Sequence, residues 1–114
     1  MDHIEIYNKW LSDGRLCSEG RAELEGIKEN KEEIEYRFGA ELAFGTAGLR
    51  GIIGYGTNMM NIYTVKRATQ GLAEFIKTLG ESAMKRGVAI SYDTRLKSDE
   101  FARAAADVLA ANGI

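Results

Sequence analysis

Phe44-Gly45-Thr46-Ala47-Gly48-Leu49-Arg50-Gly51 divides this sequence into two parts that are patterned differently. Three glycines, a hydroxyl and one arginine make a turn that brings backbone close to something anionic. Glycine permits positive φ and leaves no Cβ between the peptide N–H groups and a ligand. Successive N–H groups in such a turn form an anion-binding concavity, and an arginine fork adds a bidentate phosphate partner. The plainer reading, a turn from helix to strand with Arg50 a solvated charge, stays open at this point.

Before the turn the chain reads as short helices. Ile4, Tyr7 and Leu11 recur at helical spacing with Trp10 beside them and stop at Asp13-Gly14. Ser18 is the expected N-cap of a second helix ending near Gly26, and Asn30 of a third ending at Gly39. Charge dominates from Glu19 to Arg37, so a solvated surface is expected there, with the rings of Tyr7 and Trp10 as anchors. After the turn the pattern changes. Leu49–Ile53 and Val88–Tyr92 are strand candidates. Asn61 caps a long helix through Ile62, Val65, Thr69, Leu72, Ile76 and Leu79, which stops at Gly80. Ser98 is the expected cap of a last helix that ends at Asn112-Gly113.

Strand, helix, strand, helix at these lengths argues for a parallel sheet with helical crossovers, covered on both faces. Two or three strands cannot complete such a sheet, so residues 1–114 read as the front part of a larger α/β domain. The expected fold is a partial three-layer α/β/α domain over residues 41–114, preceded by a helical extension over residues 1–40.

Composition narrows the function classes. A formal net charge of -2 gives no basic footprint for nucleic acid. Cys17 is the single cysteine, so no internal disulfide forms and a reduced, cytoplasmic setting is expected. The start, Met-Asp-His-Ile-Glu, lacks the basic and apolar regions of a secretory signal. No apolar run approaches the ~20 residues that cross a bilayer, so no membrane partner is expected. Gly54-Tyr55-Gly56 does not make a dinucleotide fingerprint, because Met59 stands where the third glycine belongs.

Several segments, taken in order, resemble the α-D-phosphohexomutase family of phosphoglucomutases and phosphomannomutases. They are the Phe44–Gly51 turn, the run Gly56-Thr57-Asn58-Met59-Met60-Asn61-Ile62-Tyr63-Thr64-Val65, and Tyr92-Asp93-Thr94-Arg95 with Ser98 and a helix closing on Ala-Asn-Gly-Ile. The stretch of about forty residues before the turn is similar to the phosphoglucomutase/phosphopentomutase branch. The resemblance implies an enzyme of four α/β domains around one cleft, an intramolecular phosphotransferase. It interconverts sugar 1-phosphate and 6-phosphate, with glucose phosphates the expected pair, through a phosphoserine and a bisphosphorylated sugar. Magnesium and glucose 1,6-bisphosphate are the implied cofactor and activator; a phosphosugar and the enzyme's remaining domains are the implied partners. Arg50, Thr46 and Gly48 would bind phosphate in the cleft, since a guanidinium matches phosphate geometry where lysine acts as a point charge.

Asp93 and Arg95 carry two readings. An Asp-x-Arg turn at the carboxyl end of a parallel strand lies on the edge where open sheets bind ligands. A structural pair, with Asp93 accepting backbone N–H groups and Arg95 bridging elements, is the preferred one. No catalytic residue and no metal ligand is assigned in this chain. The family's Thr-Ala-Ser-His-Asn-Pro loop, its Asp-Gly-Asp-x-Asp metal loop and its Gly-Glu-x-Ser-Gly sugar loop do not occur in it. The isolated chain is therefore expected to be inactive. The alternatives are a stand-alone phosphate- or phosphosugar-binding module and a structural interaction module.

Overall fold

Asp2, Cys17 and Asn30 begin the first three helices of the computed structural model, which describes residues 2–45 and 48–114. Helix α1 (His3–Ser12) is capped by Asp2, whose carboxylate accepts from Glu5 N at 2.9 Å. Helix α2 (Ser18–Glu25) is capped one residue earlier than expected, the Cys17 Sγ accepting from Gly20 N at 3.3 Å. Helix α3 (Lys31–Phe38) starts on Asn30, which accepts from Glu33 N at 3.1 Å, and stops at Gly39 as expected. Each cap satisfies an N–H group that the first turn leaves without a partner.

These helices belong to one unit, Met1–Asn61. Its core is Tyr7, Leu24, Ile34 and Phe38, all buried. The Tyr7 and Trp10 rings meet Phe38 edge-on, with centroids 5.7 and 5.5 Å away. This geometry sets the positive ring edge against the negative ring face. The Tyr7 hydroxyl donates to the Leu24 carbonyl at 2.6 Å, so α1 anchors α2 and α3 together. Within the same unit, β1 (Phe44–Gly45) pairs antiparallel with β2 (Gly48–Leu49), and Ile53 bridges Met60 in parallel.

The second unit is Ile62–Ile114. It holds α4 (Ile62–Thr78), α5 (Glu81–Arg86) and α6 (Ser98–Ala111). Thr69, Ala73 and Ile76 of α4 are buried, with Ala83, Ala104 and Leu109. The expected apolar face is thus turned: Leu72 and Leu79 are exposed and Ala73 is fully covered. Alanine at the seam lets two helix backbones approach closely, which larger side chains prevent. An amide pair also ties α4 to the end of α6, Asn112 Nδ2 donating to Gln70 Oε1 at 2.8 Å.

The whole is mixed helical with a small two-stranded sheet, consistent with a partial α/β domain. Two strand expectations are revised. Of Leu49–Ile53 only Leu49 lies in a strand, and that strand is antiparallel; Val88–Tyr92 takes no place in a ladder. Val88, Ile90 and Tyr92 are exposed instead. A strand draws its hydrogen bonds from a neighbour, so β-branched residues alone do not make one.

Candidate functional site

The glycine turn is a short hairpin. Phe44 pairs with Leu49 and Gly45 with Gly48. Thr46, expected to bind phosphate, lies with Ala47 outside the described residues. Gly48 has φ 111, and a Cβ built on it would meet nothing within 4 Å. At Gly48 it is therefore the positive φ, and not crowding, that favours glycine. Arg50 follows directly and is exposed.

Both stems of the hairpin rest on the segment from residue 55 to residue 61. On one side Leu42 N donates to Thr57 O at 3.0 Å; on the other Met60 N donates to Ile52 O at 2.8 Å. Gly54 N closes the second stem on Met60 O at 3.1 Å. Asn61 immediately precedes α4 and is buried. Its Nδ2 donates to the carbonyls of Gly54 and Gly56 at 2.8 and 3.0 Å. These bonds satisfy carbonyls inside a tight loop, which would otherwise be costly to bury.

That segment is in turn fixed to α3 and α2. Arg37 Nη1 donates to the Tyr55 carbonyl at 3.0 Å and to Glu23 Oε2 at 2.8 Å. Glu23 Oε2 also accepts from Tyr55 N at 2.7 Å, and Glu33 Oε1 holds Arg37 Nε at 2.9 Å. Asn58 adds two bonds, its N–H to Arg37 O and its Nδ2 to Tyr36 O. The Arg37 side chain is only 12% exposed, in a stretch read from sequence as a solvated charge run. The Glu33–Arg37 spacing of four residues was legible as a helical pair. The reach to Glu23 and to Tyr55 was not, because it spans two loops.

Nearby, Tyr55 hydroxyl lies 3.4 Å from Cys17 Sγ and 3.4 Å from Glu19 Oε2. Burial first, and then the neighbouring thiol and carboxylate, push the phenol pKa up. Cys17 serves here as a helix cap.

In the second unit, Asp93 Oδ1 accepts from Arg95 N at 2.9 Å and from the Ser98 hydroxyl at 3.0 Å. Arg95 Nε meets Asp93 Oδ2 at 2.8 Å. The Arg95 backbone N–H, then the Ser98 hydroxyl and the Arg95 side chain, hold the Asp93 carboxyl below its ordinary 3.8. Asp93 thus accepts a backbone N–H, while the Arg95 side chain folds back on Asp93 and is 87% exposed. Ser98 is correspondingly not the cap of α6: Lys97 is, in the left-handed region at φ 64. Ser98 lies inside the first turn, its hydroxyl donating to the Asp93 carboxylate, a charge-assisted bond. An open cavity of about 390 Å³ lies over Ile90, Tyr92, Asp93, Arg95, Ser98 and Phe101.

Among the described residues, no three His, Cys, Asp or Glu side chains are grouped to hold a metal ion, so these residues do not fit a magnesium site. No described helix is long and apolar enough to cross a membrane.

Residues 41–114 match the family model described as phosphoglucomutase/phosphomannomutase, alpha/beta/alpha domain I. A human phosphopentomutase is 37% identical over 106 residues, covering 88% of this chain and 16% of the relative. A phosphoglucomutase of Staphylococcus haemolyticus is 40% identical, covering 70% of this chain and 14% of its own length. A probable phosphoribomutase of Schizosaccharomyces pombe is 47% identical, covering 63% and 12%. The chain therefore spans well under a fifth of the length of these curated relatives. No solved structure matches it.

Proposed function

Because this chain belongs to the phosphoglucomutase/phosphomannomutase family, we propose that it contributes the first α/β domain of a phosphosugar mutase. In this reading residues 41–114 are an incomplete part of that domain and residues 1–40 its helical extension. The enzyme moves a phosphoryl group between the anomeric and the terminal oxygen of a sugar phosphate, through a phosphoserine and a bisphosphorylated sugar. Glucose phosphates are our reading of the substrate; the relatives carry the names phosphopentomutase, phosphoribomutase and phosphoglucomutase. The setting is cytoplasmic, and the partners are a phosphosugar and the remaining domains of the enzyme.

One observation carries the reading: Gly48 at φ 111 in the glycine turn, two residues before the exposed Arg50. In this role Gly48 lets backbone approach the phosphoryl oxygens, Thr46 holds the turn and its phosphate, and Arg50 neutralises oxygen charge. Phosphoryl transfer is largely positioning and charge neutralisation, so a turn of this kind is a working part without being a nucleophile. A magnesium ion held by other parts of such an enzyme would add charge neutralisation during the transfer. Asp93 and Arg95 shape the start of α6.

Inorganic phosphate and glucose 1,6-bisphosphate titrated into the isotope-labelled chain test this. The expected result is movement of the Gly45, Gly48 and Gly51 amide signals, lost in Arg50→Ala with helical signals unchanged. Shifts that survive Arg50→Ala, or none at all, would overturn it. The chain alone is expected to show no mutase turnover.

A further inference from the structure

Both stems of the glycine turn end on residues of a single supporting segment. Leu42 is held by Thr57, and Ile52 and Gly54 are held by Met60. That segment is gripped from below by Arg37 and Glu23, which take the carbonyl and the N–H of Tyr55. Gly56 lies so close that a Cβ there would come within 2.8 Å of Arg37 Cβ and O. Gly51 lies equally close to Leu42, within 2.7 Å of its Cδ2. The path from helix to turn is thus short and continuous: Arg37 and Glu23, then Tyr55 and Gly56, then Thr57 and Met60, then the stems at Leu42 and Ile52.

We propose that Arg37 and Glu23, both outside the residues matched by the family model, are positioning residues for the phosphate-binding turn. The inference rests on the phosphate-binding reading of that turn. The helical extension then sets the turn's geometry and is more than a surface appendage. A charged fork that fixes both the N–H and the C=O of one residue restricts the backbone there on both sides. Small misplacements of a binding group are costly, because the ligand's oxygens are matched by direction as well as distance.

The experiment compares the chain with Glu23→Ala, Glu23→Gln and Tyr7→Phe. Glu23 is partly exposed, so its truncation leaves the helical core intact. Glutamine keeps an acceptor oxygen for Tyr55 N, whereas alanine does not. Tyr7→Phe removes the bond to Leu24, far along the chain from the supporting segment, and controls for loss of stability alone. Two readouts are taken: ligand-free amide shifts of Gly48, Leu49 and Gly51, and the dissociation constant for inorganic phosphate. Glu23→Ala is expected to shift those amides and raise the phosphate Kd about tenfold, on the scale of one charge-assisted hydrogen bond. Glu23→Gln is expected to restore both, and Tyr7→Phe to leave both unchanged.

Turn amides that stay in place in Glu23→Ala, or that move equally in Tyr7→Phe, overturn the positioning role. A wild-type turn that ignores phosphate defeats the binding reading instead, and the ligand-free shifts still decide whether Glu23 and Arg37 hold the turn.

Discussion

Arg37 and Glu23, fourteen residues apart, share a 2.8 Å ion pair whose carboxylate oxygen also accepts the Tyr55 N–H. Its partner in sequence style, Asp13–Arg15, has the same 2.8 Å separation but an Arg15 side chain that is 90% exposed. Equal distances therefore conceal unequal energies. Water screens the second pair and its side chains give up entropy to hold it, so exposed pairs contribute little. Around Arg37 the water is largely gone, and removing one partner leaves the others unsatisfied.

Arg37→Ala is accordingly expected to cost about 2 kcal/mol in urea unfolding, discounted from a fully buried pair because Glu23 is partly exposed. Arg15→Ala is expected to leave the midpoint unchanged. Equal losses in the two variants would mean that the Arg37 cluster is as wet as the surface pair.

Gly56 sits at φ 140 against the Arg37 backbone. Gly56→Ala is expected to destabilise by about 2 kcal/mol or more, since strain in the left-handed half of conformational space adds to the clash. Melting followed by circular dichroism measures this. A neutral outcome would show that the supporting segment shifts freely, and would weaken the continuous path from α3 to the turn.

The Asp93 carboxyl, bonded to Arg95 N, the Ser98 hydroxyl and the Arg95 side chain, is expected to titrate below 3.8 by carboxyl NMR. A folded value depressed below the unfolded one contributes stability above the unfolded pKa. That contribution fades as pH falls below about 3.8 and through the lower folded value. Asp93→Asn is expected to remove this acid-side slope. A folded pKa at or above 3.8 would contradict the turn geometry.

Five of the six described helices were legible in the sequence; α5, the six residues after the Gly80 stop signal, was not. Asn30 and Gly39 bracket α3 where cap chemistry places them, and the extent of α4, Ile62 to Thr78, matches the expected helix, though not its covered face. The ordered motifs from Phe44 to Ile114 also carried the family, which the domain I match over residues 41–114 bears out. Less was legible where a residue's fate depends on distant partners. Ser18 and Ser98 both looked like caps, but Cys17 and Lys97 occupy those positions. Val88–Tyr92 has strand composition and no ladder. Arg37 has the charge of a surface residue and the surroundings of an interior one.

Local chemistry, then, was determined by the sequence alone: where most helices lie, the start and stop of α3, the glycine turn with its arginine, and the family to which their order points. Only the tertiary structure decided which side chains leave water, which face of α4 is covered, and that Arg37 and Glu23 hold the backbone of Tyr55. The reason is physical. Capping and periodicity act over three or four residues, whereas burial and strand pairing depend on neighbours that the chain brings close only by folding.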